Sequence, residues 1–150
     1  MKNRLTVIKE LQRRAGEEGQ VLAQALARLK CQLAEAEGKL GMLRDYAAQY
    51  RAQLQRAESG GAEWSRVLAL RAFIARIDET VAVQENQLNN LQCSGNGLMA
   101  QWQHAHRREK ALGLLAGRHE MEARLRAAHR LQKEIEDWTL RAQAAASSLA

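Results

Sequence analysis

VLAQALARLKCQLAEAEGKLGMLRDYAAQYRAQLQRA, residues 21–57, decides the fold. With Leu5 as position a of a heptad abcdefg, the a and d positions here are Leu22, Leu26, Leu29, Leu33, Ala36, Leu40, Leu43, Ala47, Tyr50, Leu54 and Ala57. Steps of three and four residues held in phase over this distance mark a coiled-coil seam rather than a generic amphipathic helix. Toward the N-terminus the same phase passes through Leu5, Ile8, Gln12, Ala15 and Gly19. Gly16 and Gly19 each weaken that stretch by up to ~1 kcal/mol relative to Ala, so fraying is expected there.

Working outward, ESGGAEW at 58–64 is the strongest breaker in the chain, and a turn is expected at about 59–62. A second seam follows through Val67, Leu70, Ile74, Ile77, Val81, Gln84, Leu88, Leu91, Gly95, Leu98, Trp102 and Ala105. At HRREK, 106–110, the apolar seam lapses, and a new phase is expected through Leu114, Met121, Leu125, Ala128 and Ile135. The glycines of CSGNG, 93–97, are a soft spot through which the helix is expected to continue. The chain is 150 residues long and contains no proline, so nothing forces a break inside either helix.

A short turn makes long helices antiparallel neighbours. The fold class is therefore all-α, a long two-helix antiparallel coiled-coil hairpin whose second helix is longer and overhangs. Helix one is expected over about 2–58 and helix two over about 63–146. At ~1.5 Å per residue helix one spans ~85 Å, and about 30 residues of helix two extend past it. That overhang carries Leu125, Leu131, Ile135, Trp138 and Leu140 without an intramolecular partner, which implies another chain.

Composition narrows the function classes. The net charge is +6 and the pI near 9.8, but most basic residues alternate with acids as on a solvated helix surface. The clearest excess is Lys2, Arg4, Lys9, Arg13 and Arg14 against Glu10. No nucleic-acid-binding motif accompanies the charge, so no nucleic-acid partner is expected. There is no secretory segment and no apolar run of ~18 residues, which reads as a cytoplasmic chain without direct membrane insertion. His104, His106, His119 and His129 form no metal-ligand pattern, and nucleotide-binding and nucleophile motifs are missing. The expectation is a protein that is not an enzyme and uses no cofactor or metal. Cys31 and Cys93 lie nearly level across the hairpin but both at position f, pointing apart, so no disulfide staple is expected.

Two of only six aromatic residues other than His stand one helical turn apart, Tyr46 at g and Tyr50 at d. In the second seam Phe73 and Thr80 are g residues, and Ile77 and Gln84 are d residues. The two g flanks of an antiparallel hairpin adjoin, so Leu43, Tyr46, Tyr50, Phe73, Ile77, Thr80 and Gln84 map to one flank near the turn. Tyr46 and Phe73 are nearly level there. Aromatic side chains at positions that ordinarily carry Glu, Lys or Gln form either a patch suited to a protein partner or a stack over a thin core.

LRDYAAQYRAQL (43–54), the glycine-rich turn and RAFIARIDETVAVQENQL (71–88) resemble the FliJ family of flagellar export proteins. The resemblance implies a cytoplasmic, stalk-like component of the bacterial flagellar type III export apparatus, peripheral to the inner membrane at the flagellar base. It implies that the terminal end enters the pore of the hexameric export ATPase, FliI, and promotes its assembly and activity. It also implies that the flank near the turn meets the export gate protein, FlhA, and that some members escort export chaperones. Carried over by position, Phe73, Ile77, Thr80 and Gln84 face the gate, with Leu43, Tyr46 and Tyr50 in the same patch. Thr80 and Gln84 stand where the family pattern has alanine and histidine. The basic N-terminus and the overhang, through Arg4, Ile8, Arg13, Leu125, Leu131, Ile135 and Trp138, would face the ATPase ring. A stalk protein of a virulence injectisome and a self-associating coiled-coil scaffold are the alternative readings.

Overall fold

A computed structural model describes residues 3–149. It contains two helices, α1 (Arg4–Ser59) and α2 (Trp64–Ser148), and no strand among the described residues. The expected start of helix one at residue 2 lies outside the described residues. The chain divides into two compact units: Gln20–Gln103, and the stretch up to Gly19 together with the stretch from His104.

In the first unit, the turn is built by chain chemistry. Gly61 takes φ +70°, the left-handed conformation that ends many helices, and the Ala62 amide donates to the Ala57 carbonyl at 3.1 Å. This six-to-one bond satisfies a carbonyl at the end of α1 and reverses the chain. A Cβ on Gly60 would lie 2.8 Å from the Arg56 carbonyl oxygen, so the first glycine is needed as much as the second. Glu63 caps α2, its carbonyl accepting from Arg66 and Val67.

Away from the turn the seam is as the heptads place it. Every a and d residue from Leu22 to Ala57 and from Val67 to Trp102 is buried or half-buried. Leu29, Ala36, Leu40, Ala47, Val67, Ile74 and Ile77 form its buried part. Alternating large and small residues lets two helices close without a third layer. Gly95 shows the principle, since a Cβ there would come 3.1 Å from Leu29 Cδ2. α2 runs unbroken through 93–97.

In the second unit, Asn3 caps α1, its Oδ1 accepting from the Thr6 amide at 2.8 Å and the Thr6 hydroxyl at 2.9 Å. Ile8, Ala15, Ala105 and Ala116 are buried. Here the structure corrects the sequence reading. The seam does not change phase after 106–110; it continues in its old register through Glu109, Leu112, Ala116 and His119, all buried or half-buried. Leu114, expected in a new seam, is 77% exposed. The reason is a polar layer fitted over glycines. The Glu109 carboxylate comes within 3.0 Å of where a Cβ of Gly16 would stand, and the Gln12 amide within 3.0 Å of that of Gly113. Glycine on each helix makes room for a polar seam residue from the other, so Gly16 is a packing site inside a continuous helix. From Met121 to Leu149 every residue is exposed.

These roles separate glycines that the helix needs from those it merely tolerates. Gly61→Ala, forced into the left-handed region, should cost about 1–2 kcal/mol. Gly97→Ala, which meets nothing within 4 Å, should stabilise by up to ~1 kcal/mol. Urea unfolding followed by circular dichroism measures both.

Candidate functional site

The two flanks of the hairpin unit differ in kind. On the flank formed by the two e positions, Arg44 pairs with Glu85 at 3.0 Å, Arg51 with Asp78 at 2.7 Å and Arg71 with Glu58 at 2.8 Å. The Arg71 guanidinium also lies 5.5 Å from the ring centre of Trp64. These ion pairs are exposed and each adds little stability, on the order of 0–1 kcal/mol. They do fill that side of the seam with charge. None of the ion pairs among the described residues crosses the other flank, formed by the g positions.

That flank carries the aromatic residues. Phe73 is 41% exposed and Tyr46 48%. The ring against Phe73 belongs to Tyr50, at 4.6 Å between centroids and an interplanar angle of 68°. The near-level Tyr46–Phe73 stack considered from the sequence is therefore replaced by a d-to-g contact, in which Phe73 reaches over the seam onto Tyr50. An edge-to-face pair of this kind contributes about 0.5–1.5 kcal/mol beyond burial. It holds Phe73 in place while leaving Tyr46 free beside it. Of the other residues mapped to this flank, Leu43 and Gln84 are half-buried, Ile77 lies buried in the seam, and Thr80 is exposed with its hydroxyl donating to the Arg76 carbonyl at 2.9 Å. The exposed residues of this flank are therefore Tyr46, Phe73 and Thr80, with Ile77 buried in the seam.

The sequence reading missed the turn end of the same flank. An open notch there is lined by Gln53, Arg56, Ala57, Gly60, Ala62 and Arg66. Arg56 bonds only the Ala52 carbonyl of its own helix, at 3.4 Å, and Arg66 makes no ion pair among the described residues. Part of the signal was in the sequence: Arg66 stands one heptad before Phe73, and Gln53 one heptad after Tyr46.

A second candidate surface lies in the other unit. Leu125, Leu131, Ile135 and Trp138 are exposed to between 57% and 70%. The N-terminal residues grouped with them divide. Arg4 is exposed and Ile8 is buried in the seam, 8% exposed. Arg13 is held along its own helix by Glu10, at 2.6 Å, and by Glu17. The hydrogen bonds from Arg13 bring the Glu10 carboxyl down to about 2, and Glu10 in turn raises Arg13 above its ordinary value. Lys9 spans the two helices to Glu120 at 2.7 Å, and its hydrogen bond lowers the Glu120 carboxyl. The basic excess read from the sequence is thus largely bound up in local pairs.

No cluster of His, Cys, Asp and Glu among the described residues is arranged to hold a metal, and no described helix is long and apolar enough to cross a membrane. Cys31 and Cys93 are both free and exposed. Residues 1–147 match the family model described as Flagellar FliJ protein. The chain belongs to the FliJ family. Comparison with curated proteins and with solved structures gave no match. A FliJ-family chain is a flagellar export-related protein, and the motif residues that suggested the family, Tyr46, Tyr50 and Phe73, are those the fold gathers on the flank that no ion pair crosses.

Two tests follow from this geometry. Tyr50→Ala should cost about 2–4 kcal/mol in urea unfolding, since it opens the seam and removes the Phe73 contact. Tyr46→Ala should cost less than about 0.5 kcal/mol as a surface change. The second test concerns pH. A carboxyl lowered in the folded state contributes stability above its unfolded pKa, and loses it as pH falls toward the folded value. The Lys9–Glu120 contribution is therefore present at neutral pH and is lost in acid. Carboxyl carbon NMR should show Glu120 titrating below the ordinary glutamate range, and Lys9→Ala should move that titration upward.

Proposed function

We propose that this protein is the stalk-like component of the flagellar type III export apparatus, without catalysis of its own. Its α2 end enters the pore of the hexameric export ATPase, FliI, and promotes ring assembly and hydrolysis. The aromatic flank near the turn contacts the export gate protein, FlhA, at the cytoplasmic face of the inner membrane. Escort of export chaperones is a further role of the same surface helices.

One observation carries the reading. In a FliJ-family chain, every residue from Met121 to Leu149 is helical or turn and exposed, although Leu125, Leu131, Ile135, Trp138 and Leu140 are among them. Exposed apolar residues in such number call for a partner. A single helical hairpin set in a six-fold ring meets each subunit with a different face. It thereby biases which subunit hydrolyses next, while the aromatic flank engages the gate.

The test is steady-state ATP hydrolysis by the cognate export ATPase over a range of ratios to this protein. Activation at substoichiometric ratios with ring assembly is expected, and removal of 122–150 should abolish it. Phe73→Ala should weaken gate binding and leave activation intact. No activation, together with a tight homodimer burying Ile135 and Trp138, would overturn the stalk reading in favour of a self-associating scaffold.

A further inference from the structure

The arginines around the turn fall into two sets. Arg44, Arg51 and Arg71 each hold a carboxylate of the opposite helix. Arg56 and Arg66 hold none, yet they line the same notch, beside the glycine turn. Glu58 is taken by Arg71, and Glu63 makes no ion pair with either. The notch is continuous along the g flank with the aromatic residues: Arg66 precedes Phe73, and Gln53 follows Tyr46, by one heptad. One heptad of helix is about 10 Å. Along the helices Arg66 thus stands about 10 Å from Phe73 and Arg56 about 15 Å from Tyr46, on the one flank that no ion pair closes.

We propose that the notch between Arg56 and Arg66 receives a carboxylate from the protein segment that covers Tyr46 and Phe73. The occupant is an acidic amphipathic segment, with an apolar side chain on the rings and an Asp or Glu about two helical turns away. This rests on the gate-contact reading above and adds the chemistry of the gate segment. Guanidinium groups favour such a ligand because they form paired, charge-assisted hydrogen bonds to a planar carboxylate. An anionic membrane is the weaker fit. Lipid headgroup recognition ordinarily uses clusters of roughly four to eight basic residues, and here the pair is accompanied by rings that lie along a helix–helix groove.

Two measurements separate this proposal from the reading beneath it. In the first, the full chain is titrated with the cytoplasmic part of the gate protein at several salt concentrations. Arg56→Gln with Arg66→Gln should weaken binding roughly tenfold at low salt and flatten its salt dependence, because screening acts on charge pairs. Phe73→Ala should weaken binding at every salt concentration with the slope unchanged. Absence of any wild-type binding would sink the gate reading. The second measurement does not involve the gate protein. A helical peptide with leucines on one face and a Glu seven residues from the central Leu is compared with its Gln counterpart. The wild-type chain should prefer the Glu peptide by roughly tenfold, and the double Arg variant should show no preference. Equal affinity for the two peptides, or binding of neither, overturns the notch proposal whatever the gate does. Wild-type binding to vesicles containing phosphatidylserine that the double variant loses, without peptide discrimination, also overturns it in favour of a lipid site.

Discussion

Gly61 at φ +70° and the bond from the Ala62 amide to the Ala57 carbonyl fix where α1 ends and α2 begins. With only two helices there is one seam and no second layer to absorb an error in register. The charges beside the turn enforce the same choice. Running away from the turn, α1 presents Glu58, Arg51 and Arg44 at e, and α2 presents Arg71, Asp78 and Glu85. A slip of one heptad in one direction would bring Arg51 toward Arg71 and Arg44 toward Asp78, and in the other Glu58 toward Asp78 and Arg51 toward Glu85. Individually weak pairs therefore help select the register, since either alternative exchanges three ion pairs for one ion pair and one like-charge pair.

The seam was legible in the sequence because its period is a property of the chain itself. Each a and d residue read between Leu5 and Ala105 is buried or half-buried. The failures came where a position must be read together with its opposite number. HRREK looked like a lapse because Glu109 is charged, and Gly16 looked like a weak point because glycine disfavours helix. Their meaning lies in each other: the glycine is the space the glutamate occupies. The Tyr46–Phe73 pairing erred for a related reason. Level along the axis is not the same as contact, and a g side chain lying over the seam finds the d residue, Tyr50, before the opposing g residue. Arg56 and Arg66 were passed over because the absence of a facing acid can be judged only once the register is fixed.

The outcome is a hairpin unit with one closed side and one open side. On the closed side carboxylates and guanidinium groups satisfy each other across the seam. On the open side the positions that ordinarily carry such charges hold Tyr46, Gln53, Phe73 and Thr80, so nothing internal competes with a partner for them. Tyr50 belongs to the seam and to this flank at once, since its ring packs edge-on against Phe73.

The far end of α2 poses the opposite problem, a helix with apolar residues and nothing against them. Its composition, rich in Ala, Leu, Arg, Glu and Gln, favours helix without tertiary help. What matters is how the apolar residues are distributed around it. At about 100° per residue, Leu131, Ile135 and Trp138 fall within a stripe about 60° wide, whereas Leu125 and Leu140 lie on a different side. One partner helix, including one from a second copy of this chain, covers a single stripe of about that width. Leu125 and Leu140 would remain in water. Contact from several directions covers both groups, and enclosure by a ring of subunits is an arrangement that supplies it. The angular spread of these side chains thus supports a pore-bound helix over a dimer seam, for a reason independent of family membership.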